Sequence, residues 1–456
     1  MAKSARQRNS NLPQPIFHEP VFSEGSFVID PTGFATQHPS DSQLYQQLAN
    51  RLTKDVVGVP KMRGQPDSLF TLADAYGPHG AQVVDIIEQA GRIVFHAIGD
   101  SGASNSRKYG NEITVADQVT ADCLSAESND RPAFLFHLGD VVYDFGEPEY
   151  YYDQFYEPFR NYPAPILAIP GNHDSFVVPG TPAAKLPLTT FAWNFCATAP
   201  AITPEARSLH RTAMTQPGVY FAFDSPFVRI IGLFSNALED PGLISSDTVK
   251  GKKRWPKVED HQLGFLTAQL KKIKDELYAG AVLLAVHHPP FSYSPPSRAG
   301  GSGGNHGSST DMLRQIDAIC QEAGVYPHAF LSAHAHNYQR YTRAVRFEGQ
   351  DYDVPFIVCG DGGHNVNTLV RGRQGQVPRE PGNGVDVGYL DSNPAIQIGT
   401  PLLLEKHDDT KYGYLRVSVD AKQLRIGFHQ AGGGSLPQSR FDMVTVQLSD
   451  HTMVAN

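Results

Sequence analysis

The amino-acid sequence predicts an α/β sandwich, in which strands alternate with helices. Several short apolar runs, among them RIVFHAIGD and AVLLAVHHPP, have the composition of central strands that are covered on both faces. Stretches with apolar residues at helix spacing lie between some of these runs, at 112–126 and 259–277. A chain that alternates between the two patterns is typical of the α/β class.

The N-terminal part of the chain differs from the rest. Residues 1–25 are polar and contain proline, which predicts an irregular arm. The apolar spacing then becomes helical in SQLYQQLANRLTKDV and AQVVDIIEQAGR, and Gly91 has the position of a helix C-terminus. We therefore predict an N-terminal arm and helical extension over residues 1–90, and one main domain over residues 91–456.

The main domain contains irregular stretches and ends in strands. Residues 175–218 and 292–310 have little periodicity, which is typical of loops that cover a substrate or are mobile. YGYLRVSVDAKQLRIGFHQ (412–430) alternates like a β-hairpin, and FDMVTVQL (441–448) predicts a last strand.

Composition and charge describe an ordinary globular chain. Its 456 residues include 38 Lys and Arg against 47 Asp and Glu, which gives a net charge of −9. Such a charge argues against a nucleic-acid-binding surface, which needs clustered Lys and Arg. The four scattered cysteines suit neither a disulfide framework nor a structural zinc site.

The N-terminus and the hydropathy pattern bear on the compartment. The start MAKSARQRNSNLPQPIFHEP lacks the apolar core of a signal peptide. The longest apolar run, at 279–286, is too short to span a bilayer. We therefore expect a cytoplasmic protein without a membrane partner.

Five of the apolar runs end in clusters of potential metal ligands. In chain order, these clusters are IGDSG (98–102), LGDVVYD (138–144), PGNHD (170–174), VHHPPF (286–291) and SAHAHNY (332–338). Their carboxylates, phenol, amide oxygen and imidazoles all coordinate hard or borderline cations.

The position of the clusters is informative as well. In open α/β sheets ligands gather beyond the carboxyl ends of the strands, which is where all five clusters fall. The set suits two metal ions that share a bridging carboxylate, an arrangement that stabilises in-line displacement at phosphorus. Because the net charge repels an anionic substrate at long range, positive charge beside a phosphate ester would come from the metals.

The ordered set resembles the calcineurin-like metallophosphoesterases and, within them, the purple acid phosphatases. The wider superfamily places a histidine two residues after its first aspartate, whereas here Gly102 stands at that distance from Asp100. Tyr143 follows Asp140 by three residues, as in the purple acid phosphatases, where the tyrosine ligates a ferric ion. The resemblance covers about residues 92–365 and implies a four-layer αββα sandwich, with the helical N-terminal extension added to this catalytic domain.

The resemblance also implies a binuclear metal centre. The ligands of the first metal would be Asp100, Tyr143 and His336, with Asp140 as the bridge to the second metal. The remaining ligands of the second metal would be Asn172, His287 and His334. A phenolate is a hard anionic ligand and favours Fe³⁺, whereas an amide oxygen and two imidazoles suit Zn²⁺, Fe²⁺ or Mn²⁺.

Three further residues receive roles from the same resemblance. His173 would stabilise charge on the phosphate oxygens and protonate the leaving alkoxide, and Asp174 would orient local hydrogen bonds. His306, in the glycine-rich loop, resembles a second catalytic histidine that faces the substrate. An ordinary histidine exposed to solvent fits this position in the sequence equally well.

Other histidines and glycines have structural interpretations. His96 and His137 lie inside apolar runs, which predicts buried core residues. Only one of the adjacent His287 and His288 can face inward, because side chains alternate along a strand. We interpret GDGGH (360–364) as a tight turn that requires glycine rather than as a phosphate-contacting loop.

Together these features predict a phosphomonoesterase of the acid phosphatase type that hydrolyses small-molecule phosphate esters. A hydroxide held by the metals would attack phosphorus in line. The alternative is a phosphodiesterase or nucleotide pyrophosphohydrolase on the same scaffold, because the metal ligands barely differ between these activities. A third hypothesis, a metal-binding sensor without catalysis, is disfavoured because such drift usually removes ligands and none is missing.

Overall fold

The computed structural model describes residues 56–176, 187–209, 211–293, 306–369, 384–391, 397–432 and 440–454. In these ranges no helix is both long and apolar enough to cross a membrane. The strands are β1 (Phe70–Thr71), β2 (Arg92–Ile98), β3 (Leu135–His137), β4 (Ile166–Ala168), β5 (Phe221–Ser225), β6 (Val228–Leu233), β7 (Thr248–Val249), β8 (Lys252–Lys253), β9 (Ala281–Val286), β10 (Ala329–Ser332), β11 (Tyr338–Phe347), β12 (Gln350–Cys359), β13 (Val385–Asp386), β14 (Gln397–Asp408), β15 (Gly413–Asp420), β16 (Gln423–Gln430), β17 (Arg440–Gln447) and β18 (Met453–Val454). The helices are α1 (Leu72–Tyr76), α2 (Gly80–Ala90), α3 (Ser106–Ser125), α4 (Thr189–Phe195), α5 (His261–Asp275) and α6 (Thr310–Ala323).

A seven-stranded sheet has the strand order β18-β17-β16-β15-β2-β3-β4. Strands β2, β3 and β4 run parallel, and β15 pairs antiparallel with β2. Strands β15 and β16 form the predicted C-terminal hairpin, and β17 is the predicted last strand. In the hairpin turn, Asp420 Oδ1 accepts the backbone N–H groups of Lys422 (2.8 Å) and Gln423 (3.0 Å), which stabilises the reversal of the chain.

A nine-stranded sheet has the order β1-β5-β6-β9-β10-β12-β11-β14-β13. Strands β6, β9, β10 and β12 run parallel, while β11 lies antiparallel between β12 and β14. All residues of β6, β9 and β10 are buried, as their continuous apolar runs predict.

The two sheets pack face to face through aromatic side chains. The ring centroids of Phe134 and Phe223 lie 4.9 Å apart, and those of Phe136 and Phe221 lie 6.0 Å apart. Helices α2 and α3 contact the seven-stranded sheet, whereas α5 contacts β6 of the other sheet and α6 packs beside α5. The arrangement confirms the four-layer αββα sandwich.

The described residues include only part of the predicted N-terminal extension. The irregular arm and nearly all of SQLYQQLANRLTKDV lie outside the described residues. The second predicted helix is α2, which ends at Ala90 because Gly91 adopts a left-handed conformation (φ 69°). Strand β1 pairs with β5, so residues before Ala90 contribute to the large sheet. The domain boundary at residue 90 stays a prediction.

Candidate metal centre

Five strand ends from both sheets converge on one buried site. Strands β2, β3 and β4 lead into Asp100, Asp140 and Asn172, and β9 and β10 lead into His287 and His334. Since strands that run parallel within a sheet end at the same edge, face-to-face packing brings the two sets of loops together. All five side chains are at most 1% exposed.

The predicted ligands form two groups that share one carboxylate. Potential ligand atoms of Asp100, Asp140 and His336 lie within 4.8 Å of one another. The same holds for Asp140, His287 and His334. Asp140 is common to both groups, which is where a carboxylate that bridges two ions would lie, and its role as the bridge stays a prediction.

Tyr143 completes the first group. Its hydroxyl donates to Asp100 Oδ1 (2.8 Å) and lies 3.2 Å from His336 Nε2. Burial raises the pKa of Asp100 to about 8, and burial with the neighbouring carboxylates raises the pKa of Tyr143 well above its ordinary value. A cation at this point would favour the ionised forms of both groups and reverse these shifts.

The second group brings several potential ligand atoms close together. His287 Nδ1 donates to Leu138 O (2.9 Å), so Nε2 of the neutral ring carries a lone pair. This Nε2 lies 3.0 Å from Asn172 Oδ1 and 3.4 Å from Asp140 Oδ2. Burial alone would lower the pKa of His287, but the carboxylates of Asp140 and Asp100 raise it to about 9. Either a proton or a cation must separate these acceptors.

His334 presents a similar orphaned atom. Its Nε2 donates to Glu239 O (2.7 Å), which leaves Nδ1 as a buried lone pair with no hydrogen-bond partner among the described residues. Asp140 Oδ2 is likewise buried without a hydrogen bond from that part of the chain. Because buried polar atoms are normally paired, the donor set fits two cations.

Hydrogen bonds from the loops after β3 and β4 hold this arrangement. The Asp174 carboxylate accepts the backbone N–H groups of Val141 (3.0 Å), Val142 (3.1 Å) and Gly171 (2.9 Å). His173 N–H donates to Asp140 Oδ1 (2.9 Å), and His173 Nδ1 donates to Asp144 O (2.7 Å). These bonds tie one loop to the other and orient the His173 ring beside Tyr143 (centroids 4.2 Å apart).

His306 lies beside two of the predicted metal ligands. Its ring centroid is 4.5 Å from that of His334 and 4.9 Å from that of His336. Glu239, which sequence reasoning missed, forms a further group of potential ligands with His306 and His334. The catalytic role of His306 stays a prediction.

Histidines interpreted as structural have structural partners. Both ring nitrogens of His288 are engaged, by Ser235 Oγ and by Leu238 O (2.7 Å each), so neither is left to bind a metal. His96 contacts Tyr162 and Asp122, and His137 contacts Ser101, as expected of buried core residues.

The segment after β12 is a tight turn, but it also carries a site residue. A Cβ at Gly362 would lie 2.4 Å from Gly99 O, which explains the need for glycine. At its end, however, the His364 ring stacks on Tyr143 with centroids 3.5 Å apart. GDGGH was a sixth cluster of polar residues after an apolar run, and that signal could have identified His364.

The chain matches one family model and is similar to several solved structures. The family model of the calcineurin-like phosphoesterases matches residues 94–361. Among solved structures, PhoD is similar with a TM-score of 0.44 and 14% identity, over 80% of this chain and 72% of its own. GAP50, the anchor in the inner membrane complex of Plasmodium, has a TM-score of 0.43 and 12% identity, over 77% of this chain and 90% of its own.

A predicted phosphoesterase from Streptococcus pneumoniae has a TM-score of 0.26 and 10% identity, over 78% of this chain and 98% of its own. No curated protein matches the chain significantly. The family assignment therefore rests on the family model, which spans more than half of the sequence. By that match, the chain belongs to the calcineurin-like phosphoesterases.

Proposed function

We propose that the protein is a phosphomonoesterase of the purple acid phosphatase kind, with an Fe³⁺ and a divalent ion as cofactors. The observation that carries the proposal is the position of Tyr143, whose hydroxyl meets Asp100 and His336 in the first group of ligands. A phenolate at this point selects a hard trivalent ion. The substrate would be a small-molecule phosphate ester, without a nucleic-acid or membrane partner.

The ligand charges agree with such a pair. Asp100, Asp140 and an ionised Tyr143 supply three negative charges, which leaves a trivalent and divalent pair with net positive charge for an anionic substrate. Asn172, His287 and His334 are neutral ligands and suit Zn²⁺, Fe²⁺ or Mn²⁺. When bound, the two ions would act as Lewis acids on the phosphate and lower the pKa of an attacking water.

The residues of the chain would orient the substrate and move protons. His173, which Asp144 O holds beside Tyr143, is the candidate donor of a proton to the leaving alkoxide. His306 lies against the ligands His334 and His336, where it would contact the phosphate oxygens.

Metal analysis and a visible spectrum test the proposal. We expect about two metals per chain and an absorption band from tyrosine bound to Fe³⁺. Tyr143→Phe should abolish the band. Tyr151→Phe is the matched control, because Tyr151 is also buried and its hydroxyl has no hydrogen-bond partner among the described residues. A colourless wild-type protein with full activity would contradict the iron assignment.

Turnover of two model substrates tests the ester class. The wild-type protein should hydrolyse nitrophenyl phosphate faster than bis(nitrophenyl) phosphate. Faster cleavage of the diester would instead favour the phosphodiesterase alternative. Full activity in metal-free protein would exclude both.

A further inference from the structure

Lys108 is a half-buried cation that has no carboxylate partner among the described residues. It lies in the first turn of α3, directly after the loop that carries Asp100. Its ammonium group donates to Ser104 Oγ (3.1 Å) and lies 2.5 Å from His364 Nε2. Although the charge of Asp144 acts on it, no carboxylate of the described residues lies within 4.0 Å of Lys108.

The hydrogen-bond partners of His364 show that Lys108 donates to a neutral ring. His364 Nδ1 lies 2.6 Å from Gly102 O, and a carbonyl only accepts, so the proton of the ring is on Nδ1. Nε2 must therefore accept a hydrogen bond from Lys108. Both partners of the ammonium group are thus neutral, and one of its three N–H bonds remains for another acceptor.

The position of Lys108 points to the nature of that acceptor. The His364 ring, which lies against the ammonium group, stacks on Tyr143 and is 5.3 Å from the His336 ring (centroid distances). Lys108 is thereby placed beside the first group of metal ligands. An ammonium group that is largely removed from water and has no carboxylate in contact among the described residues costs free energy, which an anion at this place would offset.

We propose that Lys108 binds a non-bridging oxygen of the substrate phosphate and so favours monoesters over diesters. A monoester dianion carries twice the charge of a diester and gains more from a fixed cation. A charge-assisted hydrogen bond to this oxygen would add to the attraction. The inference rests on the proposed function, and it assigns the preference for monoesters to one residue.

Binding of inorganic phosphate to the metal-loaded protein tests the role directly. Lys108→Gln keeps an N–H donor for His364 but removes the charge. We expect calorimetry to show phosphate binding weakened roughly tenfold to hundredfold, the loss of one charged hydrogen bond. The KM for nitrophenyl phosphate should rise by a similar factor, while the KM for its diester should change less. Lys108→Arg, which keeps a cation, should recover part of the binding.

The neighbouring Arg107 provides a matched control. Arg107 is exposed, and Arg107→Gln removes the same charge from the same helical turn. We therefore expect this variant to change phosphate binding less than about twofold.

Equal phosphate binding by the wild-type and Lys108→Gln proteins, at equal metal content, would overturn the inference. If Lys108→Gln does not fold, Lys108→Met removes the same charge, together with the donor for His364, and its phosphate binding is compared with that of the wild-type protein in the same way. A wild-type protein that hydrolyses neither ester would reject the proposed function, but a difference in phosphate binding would still support the role of Lys108.

Discussion

For His287 and His334, a single hydrogen bond decides which ring nitrogen faces the candidate metal centre. A carbonyl holds Nδ1 of His287, whereas another holds Nε2 of His334. The opposite nitrogen of each ring is therefore directed inward, where it meets Asp140. Partners that select a tautomer in this way also increase the basicity of a ligand.

Asp174 acts at the same scale, as a positioning residue. Asp174→Asn would place an amide donor opposite backbone N–H groups of Val141, Val142 or Gly171, which now share one carboxylate. We expect the free energy of unfolding to fall by roughly 2–4 kcal/mol and metal content to decrease. Denaturant titration and metal analysis measure the two effects. The control is Asp450→Asn, an exposed carboxylate that accepts from Thr452, and an equally mild effect at both positions would contradict the role of Asp174.

At the scale of elements, the strand-end loops approach so closely that only glycine fits between them. A Cβ at Gly171, in the loop after β4, would lie 2.0 Å from Asp140 Oδ1 and 2.5 Å from Asp140 N in the loop after β3. Contacts at such distances force backbone to move. The place of Asp140 between the two groups of potential ligands thus depends on a residue without a side chain.

Gly171→Ala should therefore separate the two loops and release metal even if the sheets stay folded. Metal content and circular dichroism distinguish these effects. Gly110→Ala is the control, because a Cβ there would meet nothing within 4 Å inside α3. Since alanine favours helix over glycine, that variant should gain about 0.5–1 kcal/mol of stability. Retention of both metals by Gly171→Ala would be incompatible with the close approach.

At the scale of the whole molecule, hydrogen bonds to a largely buried carboxylate attach helix α3 to the seven-stranded sheet. Asp122 of α3 accepts from His96 of β2 and from Arg416 of β15, each at 2.8 Å. Burial alone would raise the pKa of Asp122, but these two partners outweigh it and lower the pKa to about 2. The stabilisation that results is complete above the unfolded pKa of about 4 and is lost as the pH falls through about 2.

Asp122→Asn should accordingly destabilise the protein at pH 7 and only about half as much at pH 3, where part of the linkage is already lost. We expect a loss of roughly 1–2 kcal/mol, below the full value of the pKa shift because the carboxylate keeps some contact with water. Urea unfolding of both proteins at pH 7, 4 and 3 measures the difference. Asp351→Asn, in an exposed pair with Arg346, should leave stability unchanged throughout. An Asp122→Asn effect that is the same at pH 3 as at pH 7 would refute the linkage.

Much of the fold and site could be predicted from local patterns. The apolar runs identified the central strands, because strands covered on both faces need apolar residues throughout. Gly91 marked the end of α2, since a left-handed conformation favours glycine. The clusters after five runs contained all seven proposed ligands, because the carboxyl ends of parallel strands gather at one edge.

Contacts between distant residues could not be predicted in this way. Lys108 and His364 lie 256 positions apart, and no periodicity or spacing connects them. The partners of His287 and His288 likewise come from other strands and loops. The sequence alone therefore determined which residue types stand at the strand ends, because that depends on neighbours along the chain. Only the tertiary structure decided which atoms meet and which cation lacks a carboxylate partner among the described residues, because the packing of two sheets sets those distances.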